Sequence, residues 1–357
     1  MLVTDFDFAL PDDLIAQIPP IRGESRLLGL NRSTGAISHH AFVDLPRLLR
    51  PGDLLVVNDT CVFAARLLGR RVPSGGSVEC LLLRSTGTQG DAGQAPGEMR
   101  WEALMHPGQK LKPGALVSFE GPAGRLMGEV LERHFQGRRT IRLWPESEGD
   151  VMSLIDALGH VPLPPYIRRG DTPADRERYQ TVFARARGSV AAPTAGLHFT
   201  SELLDELTRC GIERTEVTLH VGYGTFKPIT AHRVEDHVVD AEPYEISEGA
   251  AAAIDRARSE GRRVVAVGTT TTRALEDAAR RGGGEVRPGS ALAETFIYPG
   301  FEFQVIGGLV TNFHLPKSSL LMLVAAFAGQ DRVLRAYQAA VEARYRFYSY
   351  GDAMVVA

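Results

Sequence analysis

A stretch of short, strand-like segments in the middle of the chain limits the possible folds more than any other feature. Between about residues 70 and 144, Gly and Pro interrupt the apolar runs before any of them is long enough for a stable helix. Mixed apolar and polar positions are typical of half-buried strands, so the stretch predicts a small all-β unit, a barrel. Residues 85–97, rich in Gly, Gln and Thr, are expected to form a hairpin tip. The predicted strands are 78–83, 101–105, 115–119, 126–131 and 140–144.

The segments on either side predict helices that alternate with strands, which is typical of α/β folds. Thr200 is a candidate N-cap of a helix in which Leu203, Leu204 and Leu207 share one face. We therefore expect an α/β (α+β) main domain, residues 1–69 and 156–357, with a small β-barrel domain inserted at residues 70–155. The other predicted helices are 249–260, one ending near 281, 318–328 and 332–344, and the other predicted strands are 263–267, 294–298, 309–313 and 353–356.

Composition and charge limit the classes of function. The 357 residues are 44% hydrophobic and 23% charged, as in ordinary globular proteins, and the net charge of −3 provides no overall basic field for nucleic acid. Any RNA contact must therefore come from a local patch. The three cysteines, Cys61, Cys80 and Cys210, lie far apart without a C-x-x-C pair, which indicates a reducing compartment, no disulfide framework and no zinc site. The longest apolar run, 320–328, is too short to cross a bilayer, and residues 1–11 lack the basic start of a signal peptide, so we expect a cytoplasmic protein without membrane contact.

Two of four glycine- and hydroxyl-rich clusters surround histidines in the centre of the chain. Residues 188–200 lead into the helix capped by Thr200, where small residues and free N–H groups suit an anion such as a carboxylate. The alternative, a tight buried connection with His198 hydrogen-bonded in the core, is about equally favoured. Residues 218–228 fail as a dinucleotide fingerprint because Lys227 occupies the third glycine position, so a strand ending in a turn is slightly preferred there.

The other two clusters each follow a predicted strand. In residues 267–276 a hydroxyl-rich turn places Thr269 and Thr270 where α/β proteins often hold ligands, with Arg273 one turn behind. The alternative is helix capping with a surface Arg273–Glu276 pair, although capping explains one threonine and not four. In residues 307–319 a buried strand leads to Asn312 and His314. Lys317 then opposes a helix dipole, a cost that an anionic ligand would offset, so the functional interpretation is favoured there.

A basic run offers a candidate patch for RNA. Arg168, Arg169, Arg185 and Arg187 lie in a segment that also contains Tyr166, Tyr179 and Phe183, so phosphate contacts and base stacking are both available. A solvated surface is the usual meaning of such a run and remains the alternative. Walker, H-E-x-x-H and G-x-S-x-G motifs are absent, and the histidines lack metal spacing, so we expect no metal.

Several long strings, in the same order along the chain, carry a family resemblance. With them the sequence resembles the S-adenosylmethionine:tRNA ribosyltransferase-isomerase family of queuosine biosynthesis. The resemblance covers nearly the whole chain, with departures at Gly23, Asp59, Cys61, Tyr223, Asp240 and Gly307. The strings are 5–11, 25–28, 51–60, 65–67, 162–167, 175–181, 191–200, 217–226, 311–317 and 345–354.

The resemblance implies a two-domain protein and an unusual reaction. Family members use S-adenosylmethionine as a ribosyl donor to 7-aminomethyl-7-deazaguanine at the tRNA wobble position, giving epoxyqueuosine, adenine and methionine. S-adenosylmethionine is then a co-substrate, so no separate cofactor is expected. The implied partner is the tRNA anticodon arm, and a monomer is expected.

Roles for individual residues follow from the chemistry that this reaction demands. The sulfonium acidifies the attached ribose carbon, so a general base must remove a proton there and an acid must assist adenine. His198 and His314 are the candidates for acid–base roles, with Asp352 as the second candidate for the base. The expected substrate-binding residues are Asn58, Arg66, Pro193, Thr194, Gly196, His220, Gly222, Gly224, Thr225, Thr269, Thr270, Arg273, Asn312 and Lys317. The expected tRNA-binding residues are Arg168, Arg169, Arg185, Arg187 and Lys227.

Two other functions remain open at this point. An ordinary S-adenosylmethionine-dependent tRNA methyltransferase should carry an acidic/Gly-x-Gly-x-Gly turn after an early strand, and the sequence has none. A tRNA-binding module without catalytic activity is the other alternative, and the departures from the family pattern make it conceivable.

Overall fold

The computed structural model describes residues 1–86 and 97–357; residues 87–96, most of the expected hairpin tip, lie outside the described residues. Its strands are β1 (Arg26–Leu30), β2 (Ile37–Ala41), β3 (Leu54–Asn58), β4 (Thr60–Val62), β5 (Arg66–Val72), β6 (Ser77–Ser85), β7 (Met99–His106), β8 (Leu116–Gly121), β9 (Gly124–Arg133), β10 (Arg138–Pro145), β11 (Ala186–Ser189), β12 (Glu213–Leu219), β13 (Glu242–Ile246), β14 (Val264–Val267), β15 (Gly289–Ala293), β16 (Ile306–Asn312) and β17 (Ala353–Val356). Its α-helices are α1 (Leu45–Leu48), α2 (Val151–Leu158), α3 (Pro173–Arg178), α4 (Ser201–Arg209), α5 (Glu248–Ser259), α6 (Thr269–Arg281), α7 (Ser319–Ala328) and α8 (Gln330–Glu342).

The chain divides into two compact units. Unit 1 consists of Met1–Cys61, Pro164–Arg169 and Arg178–Ala357, and unit 2 consists of Val62–Leu163 and Gly170–Glu177. The mixed α/β class with an all-β barrel, expected from the sequence, is confirmed. The division lies within β4, whereas the sequence placed the boundaries at residues 69 and 156.

Unit 2 contains a closed antiparallel barrel of six strands in the order β10-β7-β6-β5-β8-β9. Every second residue of β6, β9 and β10 is buried, so the inward side chains fill the barrel as the alternation of the sequence requires. All five predicted strands are present. The sixth, β5, was not predicted because Leu67 is its only buried residue and arginines occupy much of the strand. The expected boundary at residue 69 therefore cuts a barrel strand.

Unit 1 is built on a nine-stranded sheet in the order β15-β13-β12-β3-β14-β16-β17-β1-β2. Both of its faces are buried: Leu54 and Val56 of β3 join the core on one side, and Leu55 and Val57 join the core on the other. A continuous run of apolar residues is what a strand covered on both faces needs. The first side carries helices α5 to α8, and the second carries α4 through Leu203 and its neighbours.

Most of the predicted elements of unit 1 are present at nearly the predicted residues. The Thr200 hydroxyl accepts a hydrogen bond from the N–H of Leu203 and caps α4, as expected. The strand predicted at 294–298 is wrong, because the edge strand β15 ends at Ala293. The next residues bind a helix instead: Asp277 of α6 accepts hydrogen bonds from the Glu294 N–H and the Thr295 hydroxyl.

The carboxylate of Glu276 on α6 is fully buried and accepts hydrogen bonds from the backbone N–H groups of Gln304, Val305 and Ile306. Replacing Glu276 by Ala leaves these donors without their acceptor, and each unsatisfied buried donor costs about 1–3 kcal/mol. We expect Glu276→Ala to lower the free energy of unfolding by roughly 3 kcal/mol or more, measured by urea denaturation. Glu276→Gln, which keeps one acceptor oxygen, should fall between the two; equal stability of Glu276→Ala and the parent protein would contradict this role.

Candidate functional site

Four neighbouring parallel strands of unit 1 end at the same edge of the sheet. Strands β12, β3, β14 and β16 run parallel to one another, and their carboxyl ends are Leu219, Asn58, Val267 and Asn312. Ligands of open α/β sheets bind beyond the carboxyl ends of the strands. The glycine- and hydroxyl-rich turns that follow β12, β14 and β16 therefore meet at this edge.

Antiparallel neighbours bring two further segments to the same edge. Strand β17 is antiparallel to β16, so the residues just before it, including Tyr348 and Ser349, lie beside the end of β16. Strand β13 is antiparallel to β12, so Asp240 and Glu242 lie beside the end of β12. These segments were missed as ligand-facing because the sequence does not reveal the pairing direction of the strands.

Two adjoining cavities occupy this edge, and Thr225 and Leu320 line both of them. We call the first the neutral cavity because none of its lining residues is Asp, Glu, Lys or Arg. We call the second the charged cavity because Lys227, Asp240, Glu242 and Arg273 line it.

The neutral cavity brings together all four sequence clusters. The first contributes Pro193 and Thr194, the second Thr225, the third Thr269 and Thr270, and the fourth Asn312 and His314. The four threonines of α6 have two roles. Thr271 and Thr272 donate their hydroxyls to backbone carbonyls one turn back, while Thr269 and Thr270 line the cavity beside an N-cap, Gly268, that has no side chain.

His314 is a buried imidazole in the wall of the neutral cavity. Its Nε2 lies 2.9 Å from the Thr311 hydroxyl, and the side-chain oxygen of Tyr337 accepts a hydrogen bond from its backbone N–H. Burial lowers the pKa of His314 to about 3, so the ring is neutral at ordinary pH. A neutral imidazole can accept a proton, as a general base must.

Two tyrosines form an aromatic wall in the neutral cavity. The rings of Tyr166 and Tyr348 have centroids 3.9 Å apart, and the Tyr166 hydroxyl is hydrogen-bonded to that of Ser349. Tyr348 has a φ of 73°, in the left-handed region that side chains rarely adopt, and Asn312 Nδ2 donates 2.9 Å to its carbonyl oxygen. Such strained residues cluster at functional sites.

His198 does not line either cavity, and it is 3% exposed. Its Nδ1 is 2.8 Å from the Ser25 hydroxyl, and burial lowers its pKa to about 4. The side chains of His198 and Asn312 interact, which partly offsets the lowering of the His198 pKa by burial. An acid–base role for His198 thus lacks direct access to a ligand, and the core interpretation of this histidine fits the geometry better.

The charged cavity contains two ion pairs. Lys227 Nζ lies 2.8 Å from Asp240 Oδ2, and both side chains are about one-third exposed. Arg273 Nη1 lies 2.5 Å from Glu242 Oε2, and this pair is buried. Arg273 also donates to the carbonyls of Asp240, Ala293 and Thr295, so its donors join α6 to the edge of the sheet. The alternative Arg273–Glu276 surface pair is wrong, since both residues are buried with other partners.

Several residues expected to bind substrate or to act as a base instead have structural partners. The Lys317 amine lies 2.9 Å from Asp7, which offsets the charge at the start of α7 without a ligand. Asp352 is 1% exposed and accepts hydrogen bonds from Arg26 and Arg346, so it is not available as a base. Thr200 caps α4, so the helix start proposed for a carboxylate is already occupied by a hydroxyl.

The other expected substrate residues, apart from Gly224, do not line either of the two cavities. The Asn58 side chain bonds the N–H and carbonyl of Leu219 and ties β3 to β12. His220 Nδ1 lies 2.8 Å from the Thr60 hydroxyl, and Gly196 packs against Thr181 and Phe183. The Gly222 N–H donates to Glu242, and Gly224 lines the charged cavity. Arg66 lies on β5 of unit 2, where Glu79 accepts two of its hydrogen bonds.

The expected RNA patch is partly retained at the surface of unit 1. Arg185 is largely exposed and pairs with Asp59, Arg168 is largely exposed and faces Asp12, and Arg187 is exposed. Arg169 donates to the carbonyl of Gln17. Base stacking on Tyr179 is excluded because this side chain is 1% exposed, and Tyr166 faces the neutral cavity instead.

Metals and membrane spans are not features of the described residues. No group of three His, Cys, Asp or Glu side chains is placed to hold a metal ion in residues 1–86 and 97–357. Within the same ranges, no helix has the length and apolar character needed to span a bilayer. All three cysteines are free thiols, and burial raises the pKa of Cys80.

The chain is therefore an α/β protein with an additional all-β barrel and with two cavities at the carboxyl edge of its sheet. The chain belongs to the family of queuosine biosynthesis proteins, whose model matches residues 3–356.

Similar proteins carry a consistent name. The chain is 50% identical to the S-adenosylmethionine:tRNA ribosyltransferase-isomerase of Heliobacterium modesticaldum and 48% identical to that of Desulfitobacterium hafniense, over 100% of each chain. It is also similar to the crystal structure of S-adenosylmethionine tRNA ribosyltransferase from Thermotoga maritima, at 37% identity with a TM-score of 0.53. That match covers 99% of this chain and 100% of the other.

The two buried histidines predict a dependence of stability on pH. Their pKa values of about 4 (His198) and about 3 (His314) in the folded protein lie below the 6.5 of an exposed imidazole. Between these pKa values the unfolded chain therefore binds more protons than the folded protein. The free energy of unfolding then falls as the pH drops from about 6.5 towards 4. Each imidazole contributes a slope of up to roughly 1.4 kcal/mol per pH unit.

Urea denaturation at a series of pH values measures this slope. His314→Asn should reduce the slope, whereas His232→Gln, a replacement at an exposed position, controls for the change of side chain. If His314→Asn and the parent protein show the same slope, burial does not lower the pKa of His314 in the folded protein.

Proposed function

We propose that the chain is an S-adenosylmethionine:tRNA ribosyltransferase-isomerase that transfers and isomerises the ribosyl moiety of S-adenosylmethionine onto 7-aminomethyl-7-deazaguanine at the tRNA wobble position. The products are epoxyqueuosine in tRNA, adenine and methionine. The observation that carries the proposal is the full-length family match combined with the meeting of four sequence clusters at one cavity. S-adenosylmethionine is a substrate here, so no separate cofactor is needed.

The neutral cavity suits the ribosyl and sulfonium part of the donor. Sulfonium is a cation, and aromatic faces such as those of Tyr166 and Tyr348 attract cations without a fixed counter-charge. Ribose hydroxyls can accept from the uncapped N–H groups at the start of α6 and exchange hydrogen bonds with Thr269 and Thr270. Burial of these groups also keeps water away from the opened sugar.

His314 is the residue that we assign to proton transfer from the ribose carbon. Its ring is neutral, lies in the cavity wall and is held by Thr311. A base with so low a pKa removes a proton only from a strongly activated carbon, and the adjacent sulfonium supplies that activation. His198 does not line the cavity, and its ring is hydrogen-bonded to the Ser25 hydroxyl, so we assign it no contact with the reacting atoms.

The tRNA substrate is expected to contact basic side chains of unit 1. Arg168, Arg185 and Arg187 are exposed, so they can reach phosphates. We expect the anticodon arm to bind at these arginines. We also expect the protein to be a monomer and to act in the cytoplasm. The salt dependence of tRNA affinity should fall when these arginines are replaced.

Adenine release tests the proposed function. The protein, S-adenosylmethionine and tRNA that lacks the modification are mixed, and free adenine and methionine are measured by chromatography. We expect both products in equal amounts, and neither without tRNA. Transfer of a methyl group with the donor ribose intact would indicate a methyltransferase, and tight tRNA binding with neither product would indicate a binding module.

Replacing His314 by Ala tests its role in the same assay. We expect kcat to fall about a hundredfold because general base catalysis contributes roughly 10²–10⁴. His232→Ala, at an exposed position, is the matched control and should keep full activity. Full activity of a folded His314→Ala protein would remove His314 from the mechanism.

A further inference from the structure

The charged cavity has a chemical character that the ribosyl chemistry does not use. It adjoins the neutral cavity through Thr225 and Leu320, so one molecule can occupy both. Its wall contains the ammonium of Lys227 and the carboxylate of Asp240, each about one-third exposed and 2.8 Å apart. The neutral cavity contains no group of either charge among its lining residues.

Apolar side chains surround the Lys227–Asp240 pair. Phe296, Ile297 and Leu323 line the same cavity, and the shared residue Leu320 extends this surface to the neutral cavity. A ligand with a short methylene chain and a terminal zwitterion matches this arrangement in both polarity and order. The methylenes contact the apolar side chains, and the two terminal charges meet the opposite charges of the pair.

We propose that the charged cavity binds an α-amino acid zwitterion, the methionyl end of the donor, with the carboxylate on Lys227 and the ammonium on Asp240. The proposal rests on the proposed function, since it locates one part of the donor named there. It reassigns Lys227 from tRNA binding to donor binding. When the donor binds, the Lys227–Asp240 ion pair opens. Lys227 then contacts the carboxylate of the donor, and Asp240 contacts its ammonium.

The buried pair Arg273–Glu242 holds this subsite in position. Glu242 Oε1 accepts from the Gly222 N–H and the Thr225 hydroxyl, which fixes the turn that carries Lys227. Arg273 donates to the carbonyl of Asp240, which fixes the other partner. A Cβ on Gly224 would lie 2.5 Å from the Asp240 carboxylate, so glycine lets the turn approach this residue closely.

Donor analogues distinguish this subsite from the rest of the cavity. Isothermal titration calorimetry compares S-adenosylmethionine with decarboxylated S-adenosylmethionine on the whole protein and on Lys227→Met. The parent protein should prefer the donor with its carboxylate by roughly tenfold or more, as expected for a charge-assisted hydrogen bond. In Lys227→Met this preference should disappear because only the carboxylated donor loses affinity. Arg214→Met, which removes a cation of similar exposure that is paired with Glu216, should keep the preference.

The second charge provides an independent arm in case Lys227→Met does not fold. An analogue that lacks the α-amino group should bind the parent protein more weakly than the donor does, and Asp240→Asn should remove this difference. If Lys227→Met still prefers the carboxylated donor, the subsite is overturned. The subsite is also overturned if this preference is lost in Thr269→Ala and not in Lys227→Met, because the carboxylate would then lie at the start of α6. Weaker tRNA binding by Lys227→Met with unchanged donor preference also overturns it. If the parent protein binds no donor and releases no adenine, the proposed function itself fails, and the subsite fails with it.

Discussion

The parallel pairing of β12, β3, β14 and β16 determines where the cavity-lining side chains of unit 1 lie. Parallel strands end at one edge, so turns from distant parts of the sequence meet there. The antiparallel partners β13 and β17 begin at that edge and add Asp240 and Tyr348. A sheet with both faces buried holds this edge rigidly, because shifting any strand would expose apolar side chains.

Charge is distributed unevenly along this edge, and the proposed chemistry depends on that distribution. The neutral cavity keeps His314 uncharged through burial, and hydroxyls and aromatic rings line it. The charged cavity holds its ions in pairs, of which the buried Arg273–Glu242 pair is structural and the Lys227–Asp240 pair is accessible. Binding energy from the distant end of a donor can thus orient its reacting centre.

The sequence predicted the turns better than the partners of individual side chains. Thr269, Thr270 and His314 lie in the cavity because each follows a strand whose apolar run is visible in the sequence. The contact of Asp352 with Arg26 was not predicted because the two residues are 326 positions apart and no local pattern reveals it. Tyr348 and Asp240 were missed because they precede strands, and only the pairing direction brings them to the site.

A crystal structure of the protein soaked with S-adenosylmethionine would show whether the two cavities hold the donor. We expect one donor molecule with its ribose between Thr269 and His314, its sulfonium near Tyr348 and its amino acid end beside Lys227. A donor molecule bound at full occupancy elsewhere on the protein, while both cavities stay empty, would contradict this assignment.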